Sequence, residues 1–143
     1  MATVQNILDE KGGNVFSVPP DTSVYHALEL MVEKNVSSLL ITENGKLAGI
    51  FTERDYARKV VLKGKSSKET LVSDIMTANV ITVTPNNSID ECMKLMTGKF
   101  IRHLPVMEND KLLGVVSIGD LVRAIIHEQK FIIENMQQYI AGT

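Results

Sequence analysis

The chain has one cysteine, no tryptophan and no long apolar run, and each shortage removes a class of function. With Cys92 as the single cysteine, no intrachain disulfide and no multi-cysteine metal site can form, which suits a reducing compartment. The three histidines, His26, His103 and His127, come with neither a CxxC nor an HExxH spacing, so no metal site of ordinary pattern is expected. Four Phe and three Tyr are the only aromatics. They are too few for a platform that stacks single-stranded bases, and the core must be aliphatic. A net charge of −2 and a pI of about 5.9 provide no global positive field for nucleic acid or an anionic membrane. No apolar stretch reaches the roughly 18 residues of a membrane span, and the opening MATVQNILDE has neither the basic flank nor the apolar core of a signal peptide. The expected compartment is the cytoplasm, with no membrane and no nucleic-acid partner.

What is present is a globular composition of 143 residues, 44% hydrophobic and 22% charged, organised by an internal repeat. The offset is 65 residues, the step from Val18 to Val83. It pairs Pro20 with Pro85, Ser23 with Ser88, Leu30-Met31 with Leu95-Met96, Gly49 with Gly114, Asp55 with Asp120 and Arg58 with Arg123. Roughly a third of the positions between Ser17 and Arg58 are identical to their counterparts, far above chance. Asp9 in the lead-in also matches Asp74, so the preceding segment is expected to repeat too.

Each copy has the same plan. A short strand (Val15 to Val18; Val80 to Val83) enters a proline turn, and Ser23 or Ser88 then caps a helix with apolar residues at helical spacing. Two strands follow, Ser38 to Thr42 with Leu47 to Phe51, and Leu104 to Met107 with Leu112 to Val116, each pair joined by a tight polar turn. A second helix opens at Thr52 or Ser117. The expected fold is α+β, two β-α-β-β-α repeats packed as a pseudo-twofold pair, because a unit of about 60 residues is marginal alone. The division is residues 1–63 for the first repeat with its lead-in, 64–73 for a polar linker and 74–143 for the second repeat with an extended last helix. That helix keeps an apolar stripe at Val122, Ile125-Ile126, Ile132-Ile133, Met136 and Ile140. Such a stripe needs a partner surface, either the chain's own body or a second copy.

Thr52-x-x-Asp55 and Ser117-x-x-Asp120 place a hydroxyl and a carboxylate where a strand ends and a helix begins, beside the first free backbone N–H groups. That arrangement suits a nucleotide. The same residues also spell a capping box, worth about 1 kcal/mol anywhere it occurs. Arg54, in the first helical turn, opposes the helix dipole unless an anion lies near it, whereas its counterpart is Gly119. Asp55-Arg58 and Asp120-Arg123 are spaced for helix ion pairs that would compete for the same carboxylates. Gly64-Lys65-Ser66 lacks the first glycine of a phosphate loop, and Lys59, Lys63, Lys65 and Lys68 read as a solvated face. Cys92 sits on the apolar side of its helix and reads as an inert buried thiol. His26 and His127 read as surface residues.

The stretches GIFTERD (Gly49 to Asp55), GVVSIGD (Gly114 to Asp120), IRHLPV (Ile101 to Val106) and DIMT (Asp74 to Thr77) together resemble the cystathionine-beta-synthase (CBS) domain, here as a stand-alone tandem pair. The resemblance implies a regulatory module that binds adenosine nucleotides in clefts between the repeats and senses energy or redox state. AMP is the ligand expected first, with ADP, ATP or NAD as alternatives, and no cofactor is required. In the family the Asp holds both ribose hydroxyls while the Thr or Ser and the helix N-terminus meet phosphate, roles that fall on Thr52, Asp55, Ser117 and Asp120. A phosphate would offset the dipole cost of Arg54, and the resemblance places phosphate contacts at Arg102 and His103, serving either of the two clefts. Adenine walls fall at Val36 and Ile50 in one site and at Ile101 and Val115 in the other, with backbone contacts from Gly13 and from Ala78 to Val80. These are also ordinary core choices. No enzymatic activity and no metal are expected, and the family habit of stacking implies a homodimer with an unidentified regulated partner protein. The rival readings are an NAD(H) sensor and a purely structural dimerisation protein with empty clefts.

Overall fold

The helix expected after Ser23 is α2, Val24–Lys34, and its counterpart α5 is Ile89–Lys99, again 65 residues on. A computed structural model describes residues 2–12 and 15–141. In each helix the capping serine does what its position predicts: Ser23 Oγ accepts from His26 N at 3.1 Å and Ser88 Oγ from Glu91 N at 3.0 Å. Glu91 completes a capping box by accepting from Ser88 N at 3.0 Å. Both helices end on a residue in the left-handed region, Asn35 (φ 54°) and Phe100 (φ 56°). Asparagine tolerates that conformation, whereas phenylalanine adopts it at a cost. The buried faces are Val24, Ala27 and Met31 in α2 and Ile89, Cys92 and Met96 in α5.

The first copy builds a three-stranded sheet in the order β1 (Ser17–Val18), β2 (Ser38–Glu43), β3 (Lys46–Thr52). β1 runs parallel to β2 with Ser17 opposite Leu40, and β2 runs antiparallel to β3 with Leu40 opposite Ile50. The second copy keeps the hairpin, β4 (His103–Glu108) with β5 (Lys111–Ser117). Positive φ angles at Asn44 and Gly45, and at Asn109 and Asp110, close the two turns. The strand expected from Val80 to Val83 is reduced to a single parallel bridge, Val83 to Val106. Proline explains this. Leu40 N donates to Phe16 O at 3.2 Å in the first copy, but the residue in Leu40's place is Pro105, which has no N–H to give.

After β3 the chain forms one turn of α3 (Glu53–Asp55) and passes directly into a π-helical segment, Tyr56–Val61, which apolar spacing does not foretell. Its counterpart α6 is a regular helix, Ile118–Ala141. Two lead-in helices, α1 (Val4–Lys11) and α4 (Val72–Ile75), complete the set. Contacts divide the chain into two compact units: residues 14–81 with 110–112, and residues 1–13, 82–109 and 113–143. The lead-in of one repeat thus packs with the body of the other. In the second unit Val4 N donates to Asn87 O at 2.9 Å and Gln5 N to Pro85 O at 3.0 Å. In the first, Val72 N donates to Thr22 O and Val24 N to Thr70 O, both at 2.8 Å. Residues 64–73, expected as a polar linker, are tied to the start of α2 by these bonds and by Tyr25 N to Ser67 O at 2.9 Å. The core of the 14–81 unit joins Val18, Met31, Leu39, Ile41 and Phe51 to Val72 and Ile75 of the lead-in.

Candidate functional site

At the end of β3, Thr52 turns the chain into α3 and closes a capping box with Asp55. Thr52 N donates to Asp55 Oδ2 at 3.0 Å, and Asp55 N donates to Thr52 Oγ1 at 3.2 Å. The carboxylate is 8% exposed. Its other oxygen, Oδ1, receives Lys59 Nζ at 3.1 Å and faces Thr77 Oγ1 at 3.5 Å. Lys59 Nζ also donates to Ile75 O at 3.1 Å, so one lysine ties the carboxylate to the lead-in. Thr77 is fixed by a two-way backbone bridge with Ile50, at 3.0 and 2.9 Å.

The second unit repeats the plan with different parts. Ser117 N donates to Asp120 Oδ2 at 2.8 Å and Asp120 N to Ser117 Oγ at 3.2 Å; Asp120 is 7% exposed. The lysine here is Lys11, at the end of α1, which donates to Asp120 Oδ2 at 2.8 Å and to Val115 O at 2.9 Å. Arg123 Nη2 pairs with Asp120 Oδ1 at 2.7 Å, realising the helix ion pair read from the spacing. A Cβ at Gly119 would stand 3.4 Å from the Arg123 guanidinium, so the glycine in Arg54's place leaves room for that cation over the first turn. Burial pushes Asp120 up, but hydrogen bonds from Lys11 and Ser117 and the Lys11 charge outweigh it, and its carboxyl lies below the ordinary value.

Arg102 and His103 belong to this same unit. Arg102 O accepts from Ile118 N, the first residue of α6, at 2.9 Å, which seats the pair against the helix start. In the other unit Ser37 O accepts from Glu53 N at 3.3 Å. Burial lowers His103 below the ordinary imidazole value, and the Lys11 charge adds to this; Asp120 pulls the other way and Arg102 lowers it further. Arg102, Arg54 and Ala78 are exposed, Val36, Val80, Ile101 and Val115 half-buried, and Ile50 buried. Each unit therefore holds its own share of the expected residues: Val36, Ile50, Thr52, Arg54, Asp55, Ala78 and Val80 in one, Ile101, Arg102, His103, Val115, Ser117 and Asp120 in the other. Gly13 lies outside the described residues.

Lys59, read from sequence as part of a solvated face, instead pairs with Asp55 Oδ1 and Ile75 O; it stands four residues after Asp55, the spacing of a helix ion pair. Two further contributors, Thr77 and Lys11, were not singled out from sequence. Thr77 lies within DIMT without any local sign of its partner. Lys11 had no signal at all, because 109 residues separate it from Asp120. Cys92 is buried as expected and burial pushes its thiol up to about 11, while His26 is exposed beside Glu29. Among the described residues no cluster of His, Cys, Asp and Glu is placed to hold a metal, and no helix is long and apolar enough to cross a membrane.

The CBS-domain family model matches the chain twice, at residues 6–62 and 72–127. The mitochondrial CBS domain-containing protein CBSX3 of Arabidopsis thaliana is 42% identical over 149 aligned residues, covering 98% of this chain and 72% of its own. The solved structure of a candidate signal-transduction protein with CBS domains from Burkholderia ambifaria superposes with a TM-score of 0.87 at 50% identity, over 90% of this chain and 96% of the other. A CBS domain pair, protein MJ0100, solved in complex with 5'-methylthioadenosine and S-adenosyl-L-methionine, gives a TM-score of 0.80 at 26% identity over 90% of this chain and 98% of the other. Two matched segments, each carrying the strand, the glycine and the [ST]-x-x-D turn described above, make the chain a tandem pair of CBS domains, and it belongs to the CBS-domain family.

Proposed function

We propose that the protein is a regulatory module that reversibly binds adenosine nucleotides, AMP foremost with ADP and ATP as further ligands, one ribose at Thr52-x-x-Asp55 and another at Ser117-x-x-Asp120. One observation carries the reading: each compact unit presents an almost fully buried carboxylate at a strand-to-helix junction, with a lysine amine within hydrogen-bond reach. An ionised carboxylate only accepts, so it matches the two hydroxyl donors of a ribose. The helix N–H groups and the nearby cations, Arg54 in one unit and Lys11, Arg102 and Arg123 in the other, suit phosphate. The MJ0100 pair, a structural relative, was solved with two adenosine compounds, which supports carrying that ligand class to this chain. In this reading the protein catalyses nothing, needs no cofactor and signals occupancy to a partner protein as a homodimer in the cytoplasm.

A structural role is the second reading, favoured by the fact that both hydroxyl–carboxylate pairs already satisfy each other and the helix start. A thermal-shift panel of AMP, ADP, ATP, NAD(H) and GMP separates the two. Adenosine compounds are expected to raise the melting temperature in proportion to RT ln(1 + [L]/Kd), about 2.7 kcal/mol at 100-fold excess, and GMP to do less. Calorimetric titration then tests the assignment. Asp55→Ala and Asp120→Ala should each weaken one adenosine site by about 10- to 1000-fold and spare the other. Wild-type affinity in both, with only lower melting points, makes the acids helix caps.

A further inference from the structure

The two buried carboxylates are covered by unequal numbers of cations. Among the described residues Asp55 pairs with one, Lys59, at 3.1 Å. Asp120 pairs with two, Lys11 Nζ on Oδ2 at 2.8 Å and Arg123 Nη2 on Oδ1 at 2.7 Å. By the 65-residue offset the counterpart of Lys11 is Met76 and that of Lys59 is Ala124, so each unit covers its carboxylate from a different element. The two cations on Asp120 are held differently. Arg123 is 73% exposed and can swing into solvent, whereas Lys11 is 37% exposed and is bound to Val115 O as well, at 2.9 Å. The bond from Ser117 N to Asp120 Oδ2, at 2.8 Å, belongs to the start of α6 and stays while the helix stays. All of these groups lie in one compact unit.

A ribose presents two hydroxyl donors, and an ionised carboxylate offers about four acceptor positions. On Asp120, Ser117 N, Lys11 and Arg123 hold three of them, so both hydroxyls find a place only when a cation leaves. A nucleoside brings nothing for that cation to bind, and separating a half-buried amine from its carboxylate without a new partner is costly. A nucleotide brings phosphate, with which lysine and arginine form charge-assisted bonds of the same kind. Resting on the adenosine-nucleotide reading above, we propose that ligands enter the second unit by exchange of counter-ions. The ribose hydroxyls take the Asp120 positions that Lys11 and Arg123 hold, and the two cations turn to the phosphate. Lys11 and Arg123 are thereby the specificity-determining residues of this site, selecting phosphorylated over unphosphorylated adenosine compounds. Asp55, covered by one cation, discriminates less.

Calorimetric titration of the full chain with AMP and with adenosine tests the exchange, the Asp120 site being the binding step lost in Asp120→Ala. In the parent that site should prefer AMP to adenosine by at least about 10-fold. Lys11→Met should weaken AMP there by about 10- to 100-fold and tighten adenosine, because the charge that answers phosphate is gone and the carboxylate is uncovered. Arg123→Met should act in the same two directions, and its exposed position carries the test should Lys11→Met fail to fold by circular dichroism. Opposite signs are the mark of exchange, since removing a residue that only props up the site weakens both ligands. Equal affinity of the parent's Asp120 site for AMP and adenosine, or parallel loss or unchanged binding of both ligands in the folded variants, overturns the exchange and leaves nucleotide binding standing. No AMP binding by the parent overturns the nucleotide reading and the exchange with it.

Discussion

Lysine 11 shows most directly how one side chain joins distant parts of the chain. It bridges Asp120 Oδ2 and Val115 O at 2.8 and 2.9 Å and lowers the pKa of both Asp120 and His103. Lys11→Met keeps the length of the apolar stem and deletes the charge. Both groups should then titrate at higher pH than in the parent, followed by NMR, and stability should fall by about 1 kcal/mol, since the amine end is partly solvated. Unmoved titrations of both groups would mean that the pair does not form in solution. The carboxylates and their hydroxyls were legible because a capping box is a local spacing. Their lysines divide by distance: Lys59 is four residues from Asp55 and could be read, whereas Lys11 reaches Asp120 through tertiary packing alone.

Elements follow the same division. Helices α2 and α5 and the two hairpins were legible from periodicity and turn residues, down to their capping serines. The π-helical turn at Tyr56–Val61 was not, because a single altered hydrogen-bond register leaves almost no trace in apolar spacing. The lost strand around Val83 could have been read from Pro105, but only once the parallel pairing was known. The docking of each lead-in on the body of the other repeat was hidden, and it makes the two matching glycines unequal. A Cβ at Gly49 would lie 2.5 Å from Met76 Sδ and 2.9 Å from the Thr77 carbonyl, whereas at Gly114 it would meet Leu8 Cδ2 at 2.8 Å. The Leu8 methyl can swing away. The Thr77 carbonyl cannot move without breaking its bond from Ile50 N. Gly49→Ala should therefore cost about 2–3 kcal/mol and Gly114→Ala about 1 kcal/mol, read from denaturant midpoints. The opposite order would mean that α4 gives way more easily than α1.

For the whole molecule, the titratable groups that the fold shifts set how stability varies with pH. His103 is held below 6.5 in the fold, so on acidification the unfolded chain takes up this proton first. Its contribution is complete above 6.5 and declines as pH falls from there to the folded value. Asp120 and Glu91 lie below their ordinary 3.8 and 4.5; what they add is present above those values and is lost as pH falls through the folded ones. All three slopes run the same way. Cys92 works from the other end: burial pushes it from 9.0 to about 11, so the unfolded chain loses that proton first and stability falls as pH rises from 9.0 towards 11. Urea midpoints measured across this range should therefore show a plateau between 6.5 and 9.0 with a decline on each side. His103→Gln should remove the decline that starts at 6.5 and leave the alkaline one, and Cys92→Ala should do the reverse after a uniform loss for the small cavity. A parent curve flat below 6.5, or a His103→Gln curve with the parent's acid slope, would show that the imidazole is as free to ionise in the fold as in water.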